Sequence, residues 1–246
     1  MKPANVFTAL ALCAAGAMYA MPASAIAWYT TTQFSGSAGA AYSPGSYTQG
    51  GVQMTARGYS TTATTGGALR GACLNGYGSY GLGVVSLEED TSSTNCSTGQ
   101  PNHAADNSGT VDGILLSFSS AMRLTSITTG WTGDDSDFSV LYYTGGSPPP
   151  AMNYSLANML ANGWSLLQNV NGGSADYVSH SLASTASTVS SYWYVSGYSQ
   201  AFGGTYSTGN DYFKIKKITG EVPEPGTLAL LGLGLAGIGF ARRRRA

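Results

Sequence analysis

Carboxylates are the side chains of this 246-residue chain best suited to chemistry. Eight of its twelve acids (Glu88, Glu89, Asp90, Asp106, Asp112, Asp134, Asp135 and Asp137) fall within 50 consecutive residues that hold one basic group, Arg123. Carboxylates mixed with Asn and Ser at strand ends supply the hard oxygen ligands that calcium prefers, and calcium is the one cofactor the residues suggest. Asp106, Asn107 and Asp112 form one candidate group, and Asp134, Asp135 and Asp137 form another. Neither follows the EF-hand spacing or a calcium-binding nonapeptide repeat. Solvated loop acids and Asx turns account for the same residues without a metal, so both readings stay open.

Catalytic readings are poorer. The chain has two histidines, His103 and His180, and no Gly-x-Ser-x-Gly elbow. His103 near Asp106 could be joined to a serine as a triad, but in a Ser-rich chain such a coincidence is cheap. A glycosidase needs two carboxylates at a set separation, and nothing prefers Glu88 with Asp134 over other pairs. The expectation is a protein that is not an enzyme, with a glycoside-active hydrolase as the third-ranked reading. Aromatics offer sugar stacking instead. Trp131 and Trp193 lie in or beside apolar runs and read as core, whereas Trp164, beside a predicted helix end, is the exposed stacking candidate. A carbohydrate-binding module acting on exopolysaccharide is therefore the alternative to a structural or adhesive role.

The elements that must position these groups read as strands. Only 9% of residues are charged, while Gly contributes 34 and Tyr 16, which excludes a coiled coil. With 43% hydrophobic and 11% aromatic residues the chain also collapses too readily to be disordered. Between residues 26 and 220, short apolar runs at 113–118, 138–143, 192–195 and 212–216 alternate with Gly, Ser, Asn and Pro clusters, and 123–131 reads as a Thr- and Ile-rich strand. In the run at 212–216, Phe213 and Ile215 alternate with Lys214 and Lys216, which predicts one buried and one wet face. The fold expected is all-β: a single β-sandwich, jelly-roll-like, with one short helix at 154–162. That helix has Ser155 as cap and Gly163 as stop, with Leu156, Met159 and Leu160 on one face.

The two ends read as addresses. Lys2, an apolar stretch at 6–18 and Ala23-Ser24-Ala25 make a secretory signal peptide over 1–25. Cleavage after Ala25 is the first choice, and Ala25-Ile26-Ala27 offers a second site. At the other end, Pro223-Glu224-Pro225 precedes fifteen uncharged residues, 227–241, and the block Arg242, Arg243, Arg244 and Arg245. As a helix those fifteen residues span roughly 22 Å, short of the ~30 Å hydrocarbon layer. They therefore predict a marginal transmembrane helix with its arginines on the cytoplasmic side and the body outside. Gly232-x-Gly234-x-x-Gly237 mimics a dinucleotide fingerprint but lacks the strand before it and the acid after it. An exported body has an oxidising surrounding, in which Cys73 and Cys96 are most simply a disulfide contributing ~3 kcal/mol. Between Lys2 and Arg242 the chain holds six basic against twelve acidic residues, a net of −6, which does not fit nucleic acid as a partner.

The Pro223-Glu224-Pro225 motif, the apolar stretch and the arginine run together resemble the PEP-CTERM sorting signal of Gram-negative bacteria, over 221–246. The resemblance implies the Sec export machinery, a transient inner-membrane anchor, and an exosortase that removes the tail on the way to the cell surface or extracellular matrix of an exopolysaccharide producer. A second run, from Gly81-Leu82-Gly83-Val84 through residues 101–107, 112–118, Gly130-Trp131 and 134–141 to Tyr192-Trp193 and Asp211-Tyr212-Phe213-Lys214, is similar to an exosortase-dependent surface-protein subfamily. It implies a surface role and no reaction.

Overall fold

The computed structural model describes residues 25–30, 45–63, 67–89, 104–145, 148–149 and 152–223, with Gly234 and Gly237. The predicted signal segment before Ala25, Cys96, His103, Glu224, Pro225, the rest of the predicted membrane stretch 227–241 and Arg242, Arg243, Arg244 and Arg245 lie outside the described residues. Among the described residues no helix is long and apolar enough to cross a membrane. Ala25–Val222 forms one compact unit.

Among the described residues twelve strands carry the body: β1 (Ala25–Tyr29), β2 (Gly45–Gln49), β3 (Val52–Thr61), β4 (Leu69–Gly76), β5 (Leu82–Val85), β6 (Ala105–Asp106), β7 (Asp112–Thr132), β8 (Phe138–Tyr143), β9 (Trp164–Val170), β10 (Ser179–Ser181), β11 (Ser190–Gly197) and β12 (Tyr212–Glu221). The all-β class holds, but the two-sheet jelly-roll sandwich gives way to a closed barrel with extra strands. Two corner strands cause this. The first half of β4 pairs with β3 and its second half with β5. Strand β7, read from the sequence as two strands, is one continuous strand of 21 residues. Its first half pairs with β3 and its second half with β12, closing the ring β3–β4–β5–β12–β7. Strands that change partners midway turn corners in this manner, and three register shifts between β12 and β7 supply the bend. Beyond the ring, β11, β8 and β9 extend the sheet from the first half of β7.

Burial follows the pleat. In β3, Val52, Met54 and Ala56 are buried between exposed Gln53 and Arg57. The principal core packs Trp28, Met54, Ile114, Leu116, Trp193, Phe213, Ile215 and Ile218 together. A second core on the opposite face of β7, β8 and β11 packs Leu115, Leu141, Trp164 and Tyr194 under helix α1 (Leu156–Met159). Both faces of that part of β7 are covered, hence its unbroken apolar run. Truncating a fully buried tryptophan such as Trp193 costs about 3–5 kcal/mol.

Three local expectations are corrected. Helix α1 continues only as a 3-10 turn to Asn162, Ser155 makes no side-chain cap bond, and Leu160 is exposed rather than facing inward with Leu156 and Met159. Trp164 is 2% exposed, its indole N–H donating to the Tyr154 hydroxyl, so it presents no ring to solvent; Trp131 is the partly exposed one. Lys214 is buried, not wet. It still alternates with the core residues Phe213 and Ile215, but the rings of Tyr77 and Trp131 lie over its ammonium.

Candidate functional site

Strand ends and loops at one end of the body bring six carboxylates into two groups of three. Within each group the carboxylate oxygens lie within 4.8 Å of one another. The first group is Glu89, Asp106 and Asp112. Asp112 opens β7 opposite Ser60 of β3, and Asp106 lies in β6 opposite Tyr212 of β12. Glu89 Oε1 accepts from the Thr110 N–H at 2.6 Å and its hydroxyl at 2.9 Å. Asp106 Oδ1 accepts from the Ser108 N–H at 3.0 Å. Gly197 lets β11 approach, because a side chain there would strike the Asp106 and Asn107 backbone. Burial, then the neighbouring Glu89, pushes the Asp106 carboxyl up to about 8, and the Lys214 ammonium pulls the other way. Asp112, fully enclosed, is raised well above the carboxylate range by burial and by Asp106.

The second group is Asp135, Asp137 and Asp211. Asp135 and Asp137 lie in the β7–β8 loop, while Asp211 precedes β12 and is bridged to Asp135 through the backbone. Every hydrogen bond the structure gives these carboxylates comes from a neutral donor. Asp211 Oδ1 accepts from the Asp137 N–H at 3.0 Å, and Oδ2 from the Asn107 side-chain amide. Asp137 Oδ1 accepts from the Gly172 N–H at 3.0 Å, and Asp135 Oδ2 from the Ser207 hydroxyl at 3.2 Å. Asn107 is the clasp: its Oδ1 accepts from the Gly209 and Asp211 N–H groups, and its amide donates also to the Tyr198 carbonyl. Burial first, then the charges of Asp137 and Asp135, push Asp211 up to about 7 against the lowering effect of its hydrogen bonds. Asp137 is raised by burial too.

The sequence grouping is therefore partly redrawn. Asp106 and Asp112 are brought together, but Asn107 belongs to the second group. Asp135 and Asp137 meet, whereas Asp134 is exposed and outside the cluster. Glu89 and Asp211 were not nominated. Asp211 is distant in sequence, and only the pairing of β6 and β12 carries it to Asn107. Both groups are all-oxygen carboxylate sets and, once ionised, offer the donors of a hard divalent cation. Glu88, named for acid–base work, pairs with Arg70 at 3.1 Å. His180 lies edge-on to Phe138 with its Nε2 buried and unpartnered, and burial lowers its pKa. Cys73 is buried and disulfide-bonded, and its predicted partner Cys96 lies outside the described residues.

Residues 221–245 match the family model of the PEP-CTERM protein-sorting motif, so the chain carries that sorting signal. No curated protein matches the sequence. Among solved structures, the family 32 carbohydrate-binding module of EndoD from Streptococcus pneumoniae is similar at 13% identity and a TM-score of 0.26, over 46% of this chain and 70% of that one. A superposition that loose carries no argument about fold or ligand.

Proposed function

We propose that this PEP-CTERM protein is an exported, non-catalytic surface or matrix protein, structural or adhesive in role, whose barrel is tightened by calcium at Asp135, Asp137 and Asp211. The motif at 221–245 supports tail removal by an exosortase after brief anchoring in the inner membrane, which 227–241 would provide, and the signal peptide read at 1–25 supports export through the Sec machinery. An anchor with Gly232, Gly234, Gly237 and Gly239, each costing ~1 kcal/mol in a helix, suits a protein that is held and then released. Signal cleavage after Ala25 keeps Ile26, which is buried in the core, whereas cleavage after Ala27 would discard it and three rungs of the β1–β12 ladder.

The observation that carries the calcium reading is the second carboxylate group. Three acids are crowded together, two of them fully buried, with only neutral hydrogen-bond donors to hold their charge. Such a set must either take up protons or recruit a cation. Asp135, the partly exposed member, provides the entry side. The bound ion would join the β7–β8 loop to the segment entering β12, and through Asn107 to β6. A carbohydrate-binding role is the second reading, favoured by exposed tyrosines rather than by Trp164.

Thermal unfolding of the full chain tests the reading. With extracellular-type affinities of about 0.1–1 mM, ~10 mM calcium stabilises by roughly 1.4–2.7 kcal/mol, or about 3–10 °C in Tm over EDTA. An equal shift from magnesium, or none from calcium, would sink it.

A further inference from the structure

We propose that the outer face of β12 is a docking strip for an acidic polysaccharide, formed by Tyr29, Lys217, Lys216 and Tyr177. The proposal goes beyond the calcium reading and does not depend on it. Ile215 of β12 faces Thr129 of β7, and Lys217 faces Thr128, so Lys216 is an extra residue. Ile215 and Ile218 are both buried, which leaves Lys216 and Lys217 side by side on the outer surface. A regular strand would have put one of them inside; bulges re-aim side chains in this way. Tyr29 stands directly opposite Lys217 on β1, and Tyr177 leads into β10, which pairs with β7 at Thr128. The strip thus crosses β1, β12, β7 and β10, roughly 14 Å of sheet.

Its two rings are among the most exposed large apolar side chains of the body, Tyr29 at 47% and Tyr177 at 46%. The Lys216 ammonium lies 4.0 Å from the Tyr177 ring centroid, and the Lys217 ammonium 5.8 Å from that of Tyr29. Each ammonium lies over its ring and steadies it, while nearly half of each tyrosine stays exposed. Tyr177 is also the only non-glycine residue with positive φ among those described, at +62°. Its N–H donates to the Gly130 carbonyl at 2.9 Å, which holds this costly conformation in place. Glycine adopts that conformation without steric cost, so the tyrosine holds its exposed ring in a conformation unfavourable to it.

Charge selects the ligand. Among the described residues Arg70 and Arg123 pair with Glu88 and Glu221, whereas Lys216 and Lys217 make no ion pair within 4.0 Å. On a body whose acidic residues outnumber its basic ones, two adjacent lysines beside two exposed rings fit a partner carrying carboxylates on ring scaffolds. A uronic-acid pyranose has both: an apolar C–H face to lie on tyrosine, and a carboxylate to meet the ammonium.

Equilibrium binding of the full chain in mild detergent and EDTA tests this, with immobilised polygalacturonate, neutral dextran and poly-glutamate as probes. The expected result is binding to polygalacturonate, with dextran and poly-glutamate at least tenfold weaker. Tyr177→Gly should lose at least tenfold while its Tm stays or rises, and the double variant Lys216→Gln/Lys217→Gln should lose as much. Equal binding to poly-glutamate would reduce the strip to ion exchange and overturn the proposal. So would unchanged affinity in Tyr177→Gly, no binding to polygalacturonate, or light scattering that shows the strip joining two copies of the chain.

Discussion

The two carboxylate groups share a composition and an end of the molecule, yet they differ in what balances their charge. In the Glu89–Asp106–Asp112 group the buried Lys214 counters Asp106, and its ammonium is also held over the rings of Trp131, at 4.2 Å, and Tyr77, at 4.7 Å. In the Asp135–Asp137–Asp211 group no basic side chain among the described residues contributes, and backbone N–H groups, a serine and Asn107 supply the hydrogen bonds. The difference teaches that buried like charge has two remedies, an internal cation with shared protons or an ion from outside. The first group has its remedy built in. The second lacks one, and it is the group that the proposed calcium would complete.

The largest effect that could break this contrast is expected from Asp211→Ala. It strands the buried Asp137 N–H and the Asn107 amide, each worth about 1–3 kcal/mol, and should cost about 2–4 kcal/mol in EDTA by denaturant unfolding. A loss under 1 kcal/mol would show that Asp211 is no keystone. Next comes the calcium shift itself. Asp211→Asn should cut it to a third or less, whereas Asp112→Asn should leave it intact; the reverse outcome would move the ion to the first group.

A smaller effect separates protons from metal. Folded Asp106 and Asp211 sit at about 8 and about 7, against about 4 in an unfolded chain. Between those values the folded state binds more protons than the unfolded one, so stability in EDTA is full below pH 4 and falls as pH rises toward 8. Calcium needs the ionised form, so its Tm shift should grow over the same interval. Melts at pH 5, 6.5 and 8 with and without calcium would show it, and a calcium shift that shrinks with pH would contradict the reading. The smallest effect is expected from truncation after Val222, at the end of the compact unit. It should change the body's Tm by no more than ~1 °C and leave the calcium shift whole, while abolishing surface display in a fractionation assay.

Much of this was legible in the chain. Strand β8 was readable in full at 138–143, because an apolar run between loop signals has few other uses. The acids were legible as a population, since Glu88 to Asp137 crowd one stretch of sequence. Their partners were not. Asp211 lies 104 residues from Asn107, and it joins the site through a strand pairing that leaves no local mark. Trp164 misled because a helix end suggests exposure, while α1 and Tyr154 close over that ring. Lys214 misled because alternation marks a second face without saying what covers it, and the rings of Tyr77 and Trp131 lie over that ammonium.

Alone, the sequence determined the strand-rich class and the sorting signal at 221–245, because periodicity and a linear recognition motif are written in consecutive residues. Tertiary structure decided that the sheet closes into a barrel, which acids meet, and which tyrosines and lysines share a face. Those outcomes depend on where β4 and β7 change partners and where β12 bulges, and both are settled by packing between residues far apart in the chain.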